Sequence, residues 1–281
     1  MQNRISLHIV TLDRLTELCT LLCHLRLQTY QNWDLIIVDD FSGNILFNHH
    51  TLASMIQRIK LEKHKVKLIR NPFRMGVCKA RQKAIDEDNF GNSLIMRIDD
   101  DSLPDIDYLQ RLVNFIDIGY DMAGGIYPIV ANPELQRRVK YISPIINKVE
   151  LNEDGSIKKM GDDCGHSYYE SAIIPAHHLR SSFLYKKEIA DKIKYEQGLS
   201  PSGFREETFY CLRAMLLGYK MAVDTGAKAW HLMTPSGGCR GVTDNYRIDE
   251  QTFQTFMKRV YAENPNFLKE YDRKVLNDVA V

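Results

Sequence analysis

The sequence lacks an excess of charge of either sign: 37 Lys and Arg stand against 36 Asp and Glu, a net of +1. A chain so balanced has no whole-molecule field toward nucleic acid or a polyanionic surface, so charge-dependent function must be local and no nucleic-acid partner is expected. It also lacks any run approaching the roughly 20 apolar residues of a membrane span. The N-terminal MQNRISLHIVTLDR enters a strand-like run without the apolar core of a secretory leader. A cytoplasmic location without a transmembrane segment is expected, and peripheral contact with a membrane surface stays open. There is no Cys-x-x-Cys spacing. The six cysteines, Cys19, Cys23, Cys78, Cys164, Cys211 and Cys239, read as reduced core thiols, in keeping with that compartment. Internal repeats and low-complexity segments are absent as well.

What is present is enough apolar material, 44% of 281 residues, for a sizeable core and an α/β domain. Short β-rich runs at 6–12, 34–39, 66–70 and 94–98 alternate with helix-period segments at 15–27, 52–61 and 77–84, which predicts a mainly parallel sheet with crossover helices. After about Gly125 the pattern loosens, with Pro128, Pro133, Pro144 and Gly155 breaking up short runs to about Ser202. A helix is predicted from 204 to 217, stopped by Gly218. Two strand-like pieces, 220–223 and 227–232, a Gly-rich loop at 234–241 and a C-terminal helix over 249–262 capped by Asp249 complete the chain.

Polar residues cluster where strands end: Thr11, Leu12, Asp13 and Arg14; Asp39 and Asp40; Asn71, Arg74 and Gly76; and Asp99-Asp-Asp101. In an open α/β sheet the ligand crevice lies outside those carboxyl ends. In an extended segment Asp99 and Asp101 share a face and Asp100 takes the other. Two carboxylates on one face repel unless a cation lies between them, and a hard ion such as Mg²⁺ or Mn²⁺ takes oxygen ligands while leaving sites open for phosphates. A solvated acidic turn capping the next helix is the plainer alternative. Likewise Asp39 and Asp40 suit either a loop turn or acceptance of a base N–H, and Arg74, Lys79 and Arg81 suit either a basic helix face or phosphate recognition.

Taken together, in order and spacing, these pieces resemble the nucleotide-sugar half of family 2 glycosyltransferases over roughly residues 5–116. The matching segments are Val10-Thr-Leu-Asp-Arg14, Gln28-Thr-Tyr-Gln-Asn-Trp33, Ile37-Val-Asp-Asp-Phe-Ser42, the Asn71 to Gly76 turn with Ala80-Arg81, and Asp99-Asp-Asp101 at the family's Asp-x-Asp position. Further on, Gly203-Phe-Arg-Glu-Glu-Thr-Phe-Tyr-Cys-Leu-Arg-Ala214 resembles the family's acid-pair helix, and Ala229-Trp-His-Leu232 a strand end whose histidine completes a metal site. Two departures stand out: Thr11-Leu-Asp replaces the usual Pro-x-Tyr-Asn turn, and Phe41 replaces a common Gly.

The resemblance implies a GT-A, Rossmann-like fold in which residues 1–125 bind the nucleotide sugar and 126–232 supply the acceptor site and catalytic base, with 233–281 as lid loop and helical tail. It implies a glycosyltransferase using Mn²⁺ or Mg²⁺ and a UDP-sugar, or a GDP- or dTDP-sugar, with a glycan or glycoconjugate hydroxyl as acceptor and inversion at the anomeric carbon. Asp101 and His231 would be metal ligands, with Asp99 direct or through water. Asp100 would face the ribose, and Arg81, Arg74 and Arg240 the phosphates. Glu207 would be the general base and Glu206 its support, or the reverse. Cys164, His166, His177 and His178 match no zinc spacing and read as acceptor-pocket or surface residues, and Asp162 and Asp163 read as a solvated turn. The rival readings are a metal-dependent nucleotidyl- or phosphotransferase, and a binding module without catalysis. Against the first, no Gly- and Lys-rich loop lies near the N-terminus and no Asp-x-Asp follows the first strand.

Overall fold

The structure is a computed structural model that describes residues 3–130, 138–139, 147–161, 168–169, 171–238 and 243–279. The first strand, β1 (Ile5–Thr11), is buried on both faces, as a central strand with helices above and below must be. Helix α1 (Leu15–Arg26) turns Leu18, Leu21, Leu22 and Leu25 into the core, a stripe of three- and four-residue spacing. Strand β2 (Trp33–Asp39), helix α2 (His50–Leu61), strand β3 (Val66–Arg70), helix α3 (Val77–Asp86) and strand β4 (Leu94–Asp99) continue the alternation. The four strands are parallel, with β1 between β2 and β4 and β3 outside β2.

A short β5 (Ser102–Pro104), helix α4 (Tyr108–Asp117) and β6 (Met122–Ile126) follow. The less regular region holds β7 (Arg138–Val139), β8 (Val149–Leu151), β9 (Ile157–Met160), β10 (Tyr168–Tyr169) and β11 (Ile173–Pro175). Then come β12 (Phe183–Lys186), α5 (Lys187–Lys192), α6 (Glu206–Leu216), β13 (Met221–His231), α7 (Thr243–Glu263) and α8 (Phe267–Val279). The main sheet runs β11-β13-β6-β12-β4-β1-β2-β3, with β5 attached to β13. Strand β12 enters antiparallel between β4 and β6, so the second half of the chain contributes a strand to the middle of the sheet. A mostly parallel sheet flanked by helices is the architecture expected.

Several local expectations change. The two strand pieces after α6 are one strand, β13, whose register on β6 shifts between Asp224 and Lys228. That irregularity lets the far end leave β6 and pair with β5, Trp230 opposite Leu103 and His231 opposite Ser102, the re-aiming a bulge produces. Helix α7 begins before Asp249, so Asp249 is not its cap. Instead its fully buried carboxylate accepts the backbone N–H groups of Ser200 and Phe204, at 2.6 and 2.8 Å, and the Ser200 hydroxyl at 2.7 Å. Helix α8 falls in the expected helical tail but follows the single helix placed at 249–262 as a second, separate one. Cys78 and Cys211 are buried free thiols, but Cys23 is exposed and Cys19 half-buried, so α1 carries two thiols outside the core. Cys164 and Cys239 lie outside the described residues, as do Asp162, Asp163, His166 and Arg240.

Candidate active site

The ends of β1, β2 and β4, the start of α3, the loop into α6 and the end of β13 converge on a cavity of about 360 Å³. Thr11, Leu12, Arg14, Asp40, Arg74, Arg81, Asp99, Asp100, Glu206, Glu207 and His231 all line it. Residues more than 200 positions apart thus meet at one crevice, as the carboxyl ends of an open sheet allow.

The three aspartates do not keep strand alternation. Strand β4 ends at Asp99, and Asp100 and Asp101 form a turn into β5. The expected shared face of Asp99 and Asp101 is therefore not found. Asp99 is tied to Arg81, whereas Arg14 Nη1 lies 3.0 Å from Asp100 Oδ1 and 2.9 Å from Asp101 Oδ2. The Thr11 hydroxyl donates to Asp100 Oδ2 at 2.8 Å. Burial pushes Asp100 up to about 7, with Arg14 opposing and the Asp101 charge reinforcing the shift. Burial also raises Asp101, but the His231 hydrogen bond and the charges of His231 and Arg14 outweigh it and hold that carboxyl below its ordinary value.

Asp101 Oδ2 and His231 Nε2 are 3.2 Å apart. Two donor atoms at right angles, each about 2.1 Å from a hard divalent ion, lie about 3.0 Å from each other. The pair therefore fits one Mn²⁺ or Mg²⁺ as neighbouring ligands, while Asp99 on Arg81 does not join them. Among the described residues no group of three His, Cys, Asp or Glu could hold an ion. The donor set suits an ion whose remaining ligands are phosphate oxygens and water.

Asp39 and Asp40 organise their own turn. Asp39 Oδ1 accepts the N–H and hydroxyl of Ser42 at 2.9 and 2.6 Å, and its Oδ2 faces Arg70. Asp40 accepts Asn71 Nδ2 at 2.8 Å and the backbone N–H groups of Met75 and Gly76, both at 2.9 Å. The carboxylate expected to await a base thus fixes the turn after β3, although it still lines the cavity. Asp13 turns away, accepting the Gly43 N–H at 2.7 Å. Arg74 is exposed at the rim.

The acid pair divides clearly. Glu206 is held by both Nη atoms of Arg97 at 2.6 Å, a fork-to-fork pair, and Arg81 Nε lies 3.5 Å away. Arg97 sits fully buried inside β4, donates to the Ser181 carbonyl at 2.8 Å and packs over the rings of Phe183 and Tyr195. Glu207 is half-buried on the cavity wall and has no hydrogen bond to the side chain of another described residue. Burial, then the Glu206 charge, raise its pKa above the usual carboxylate value. Two donors of the buried Arg81, Nε and Nη1, also have no hydrogen-bond partner among the described residues.

Arg97 was missed from sequence. A charge inside the apolar run Leu94-Ile-Met-Arg-Ile98 had to be paired, yet its partner is 109 residues away. Arg205, Ser181, Phe204 and Tyr246 also line the cavity without having been singled out.

A family model described as Glycosyl transferase family 2 matches residues 6–174, more than half of the chain. The chain belongs to glycosyl transferase family 2. Solved structures similar to it share the GT-A fold at low identity. S. aureus TarS has a TM-score of 0.61 at 13% identity, over 97% of this chain and 43% of that one. GalNAc-T7 with UDP, GalNAc and Mn²⁺ has 0.66 at 13%, over 99% and 55%. The mannosyltransferase PcManGT from Pyrobaculum calidifontis with GDP-Man and Mn²⁺ has 0.59 at 13%, over 98% and 70%. The chain thus spans less than half of TarS and about half of GalNAc-T7. No curated protein sequence matches this family member.

Proposed function

We propose that the protein is a metal-dependent glycosyltransferase that moves a sugar from a nucleotide-sugar donor to an acceptor hydroxyl with inversion. The observation that carries the reading is one cleft lined by both His231, whose Nε2 lies 3.2 Å from Oδ2 of the buried Asp101, and Glu207, whose carboxylate has no side-chain partner among the described residues. Similar folds have been solved with UDP, GDP-Man and Mn²⁺. UDP-, GDP- and dTDP-sugars are the donor classes to test, and a glycan or glycoconjugate is the proposed acceptor.

Asp101 and His231 would hold Mn²⁺ or Mg²⁺, which when bound supplies positive charge to the diphosphate leaving group. Arg81, whose Nη2 pairs with Asp99 and whose Nε lies 3.5 Å from Glu206, lines the same crevice and is the guanidinium proposed to meet the phosphate oxygens. Asp100, anchored by Thr11, shapes the floor beside Arg14. Glu207 takes the acceptor proton. Its raised pKa makes it a better base, once ionised, than an exposed glutamate. Glu206, fixed by Arg97, holds the start of α6 so that the next residue faces the donor. Phe204 and Tyr246, whose rings meet edge to face at 5.1 Å, give the acceptor side apolar surface for a sugar ring.

The reading is tested by titrating UDP, GDP and dTDP calorimetrically with and without Mn²⁺. At least one should bind more tightly with the ion, and Asp101→Asn should erase the difference. If none binds under either condition, the donor assignment is wrong.

A further inference from the structure

Arg14 occupies one side of Asp101 Oδ2, the oxygen that an ion held with His231 would use. Only 7% of it is exposed. Its Nη1 reaches Asp100 Oδ1 and Asp101 Oδ2 at 3.0 and 2.9 Å, while Nε donates to the Ser236 carbonyl at 3.2 Å. Asp101 Oδ2 is therefore shared by Arg14 and His231 Nε2, and a carboxylate oxygen has only two lone-pair directions. A divalent ion on that oxygen would sit against the guanidinium, with strong like-charge repulsion in so buried a place.

The strap at 234–238 lies on the same side chain. A Cβ at Gly237 would come within 2.7 Å of Arg14 Cγ, and one at Gly238 within 2.7 Å of Cζ. Both have positive φ, +71° and +67°, and the Gly238 N–H donates to the Leu12 carbonyl at 2.8 Å. Only glycine permits this backbone and this approach. Arg14 is thus clamped from above by the strap and from below by the carboxylates.

We propose that Arg14 is a placeholder cation: it keeps the divalent ion off Asp101 in the free protein and yields that oxygen when a diphosphate draws its guanidinium away. The inference rests on the donor-site reading. Phosphate oxygens compete for the guanidinium because they match its fork as carboxylates do. Ion and nucleotide then bind cooperatively through one side chain, and the coupling is reciprocal. The Ser236 bond breaks when Arg14 moves, so the strap follows the exchange.

Mn²⁺ binding to the protein without nucleotide, read by electron paramagnetic resonance of the free ion, tests this with no sugar donor present. Arg14→Met should bind Mn²⁺ about tenfold more tightly than wild type, within the range of site-to-site coupling. Arg14→Lys, which keeps the charge, should resemble wild type. Equal affinity of wild type and Arg14→Met, or no binding by either, overturns the proposal. So does Arg14→Lys behaving like Arg14→Met, which would point to lost packing rather than lost charge. If circular dichroism shows Arg14→Met unfolded, wild type is measured with and without UDP or GDP. Tightening of about tenfold with either nucleotide supports the placeholder, and unchanged affinity with both overturns it. Because the readout is ion binding alone, it separates failure of the placeholder from failure of sugar transfer.

Discussion

Glu206 and Glu207 are neighbours in sequence with opposite circumstances. Glu206 is buried and held through two 2.6 Å bonds to a buried arginine, so Glu206→Gln leaves Arg97 with an uncompensated charge. A loss of about 3–5 kcal/mol is expected, visible in chemical denaturation. Glu207→Gln should instead leave nucleotide binding intact and lower turnover by about 10²- to 10⁴-fold, as removal of a general base does. A base acts when ionised, and burial raises the Glu207 pKa. The rate should therefore fall, as pH drops, through a value above the ordinary glutamate range. That acid limb should be missing from the residual activity of Glu207→Gln. Linkage has the same sign for stability: the folded state holds the Glu207 proton more tightly than the unfolded state, so ionising it destabilises the fold as pH rises. Glu207→Gln should accordingly melt no lower than wild type at neutral pH.

At the scale of elements, the loop before α6 decides where the acid pair points. Gly203 has φ +58°, and a Cβ there would lie 2.2 Å from Val77 Cγ1. Gly203→Ala forces α3 and α6 apart and should cost about 1–3 kcal/mol, as overpacking does, with a larger fall in turnover than in nucleotide affinity. Steady-state kinetics beside thermal melts check both. Much of this layer was legible in sequence. Buried parallel strands are continuous apolar runs, and the crevice residues are the polar groups that interrupt them, so Thr11, Asp40, Asp99 and Asp100 could be assigned to one rim before any coordinates. His231 was reachable through its Ala-Trp-His-Leu context. What stayed hidden depended on distant partners. Asp249 before an apolar helical stripe looks like a cap, and nothing local reveals that Ser200 and Phe204 claim it. The faces of Asp99 and Asp101 were misassigned because alternation holds only while the strand continues, and β4 stops at Asp99.

Over the whole molecule, the single sheet makes the two halves of the cleft one body: β12 and β13, from the second half, flank β6 and bring α6 and His231 to the ends of β1 and β4. No described helix is long and apolar enough to cross a membrane. Four buried histidines set the acid stability. Burial lowers the pKa of His8, His64, His177 and His178, the last to about 3. The unfolded chain takes up those protons near pH 6.5 and the folded chain does not, so stability present at neutral pH is lost as pH falls through that range. Asp100 and Glu207, raised in the fold, oppose the trend, but they are two groups against four. The melting temperature should therefore drop between pH 7 and pH 5, and a constant or rising value would contradict the assigned neutral histidines. The most direct test of the proposed function is release of nucleoside diphosphate from a panel of UDP-, GDP- and dTDP-sugars, with Mn²⁺ and with chelator, by wild type and Glu207→Gln. Turnover of at least one donor that requires the ion and falls at least about a hundredfold in the variant is the expected result. No ion-dependent turnover of any donor, or equal rates for wild type and variant, would contradict it.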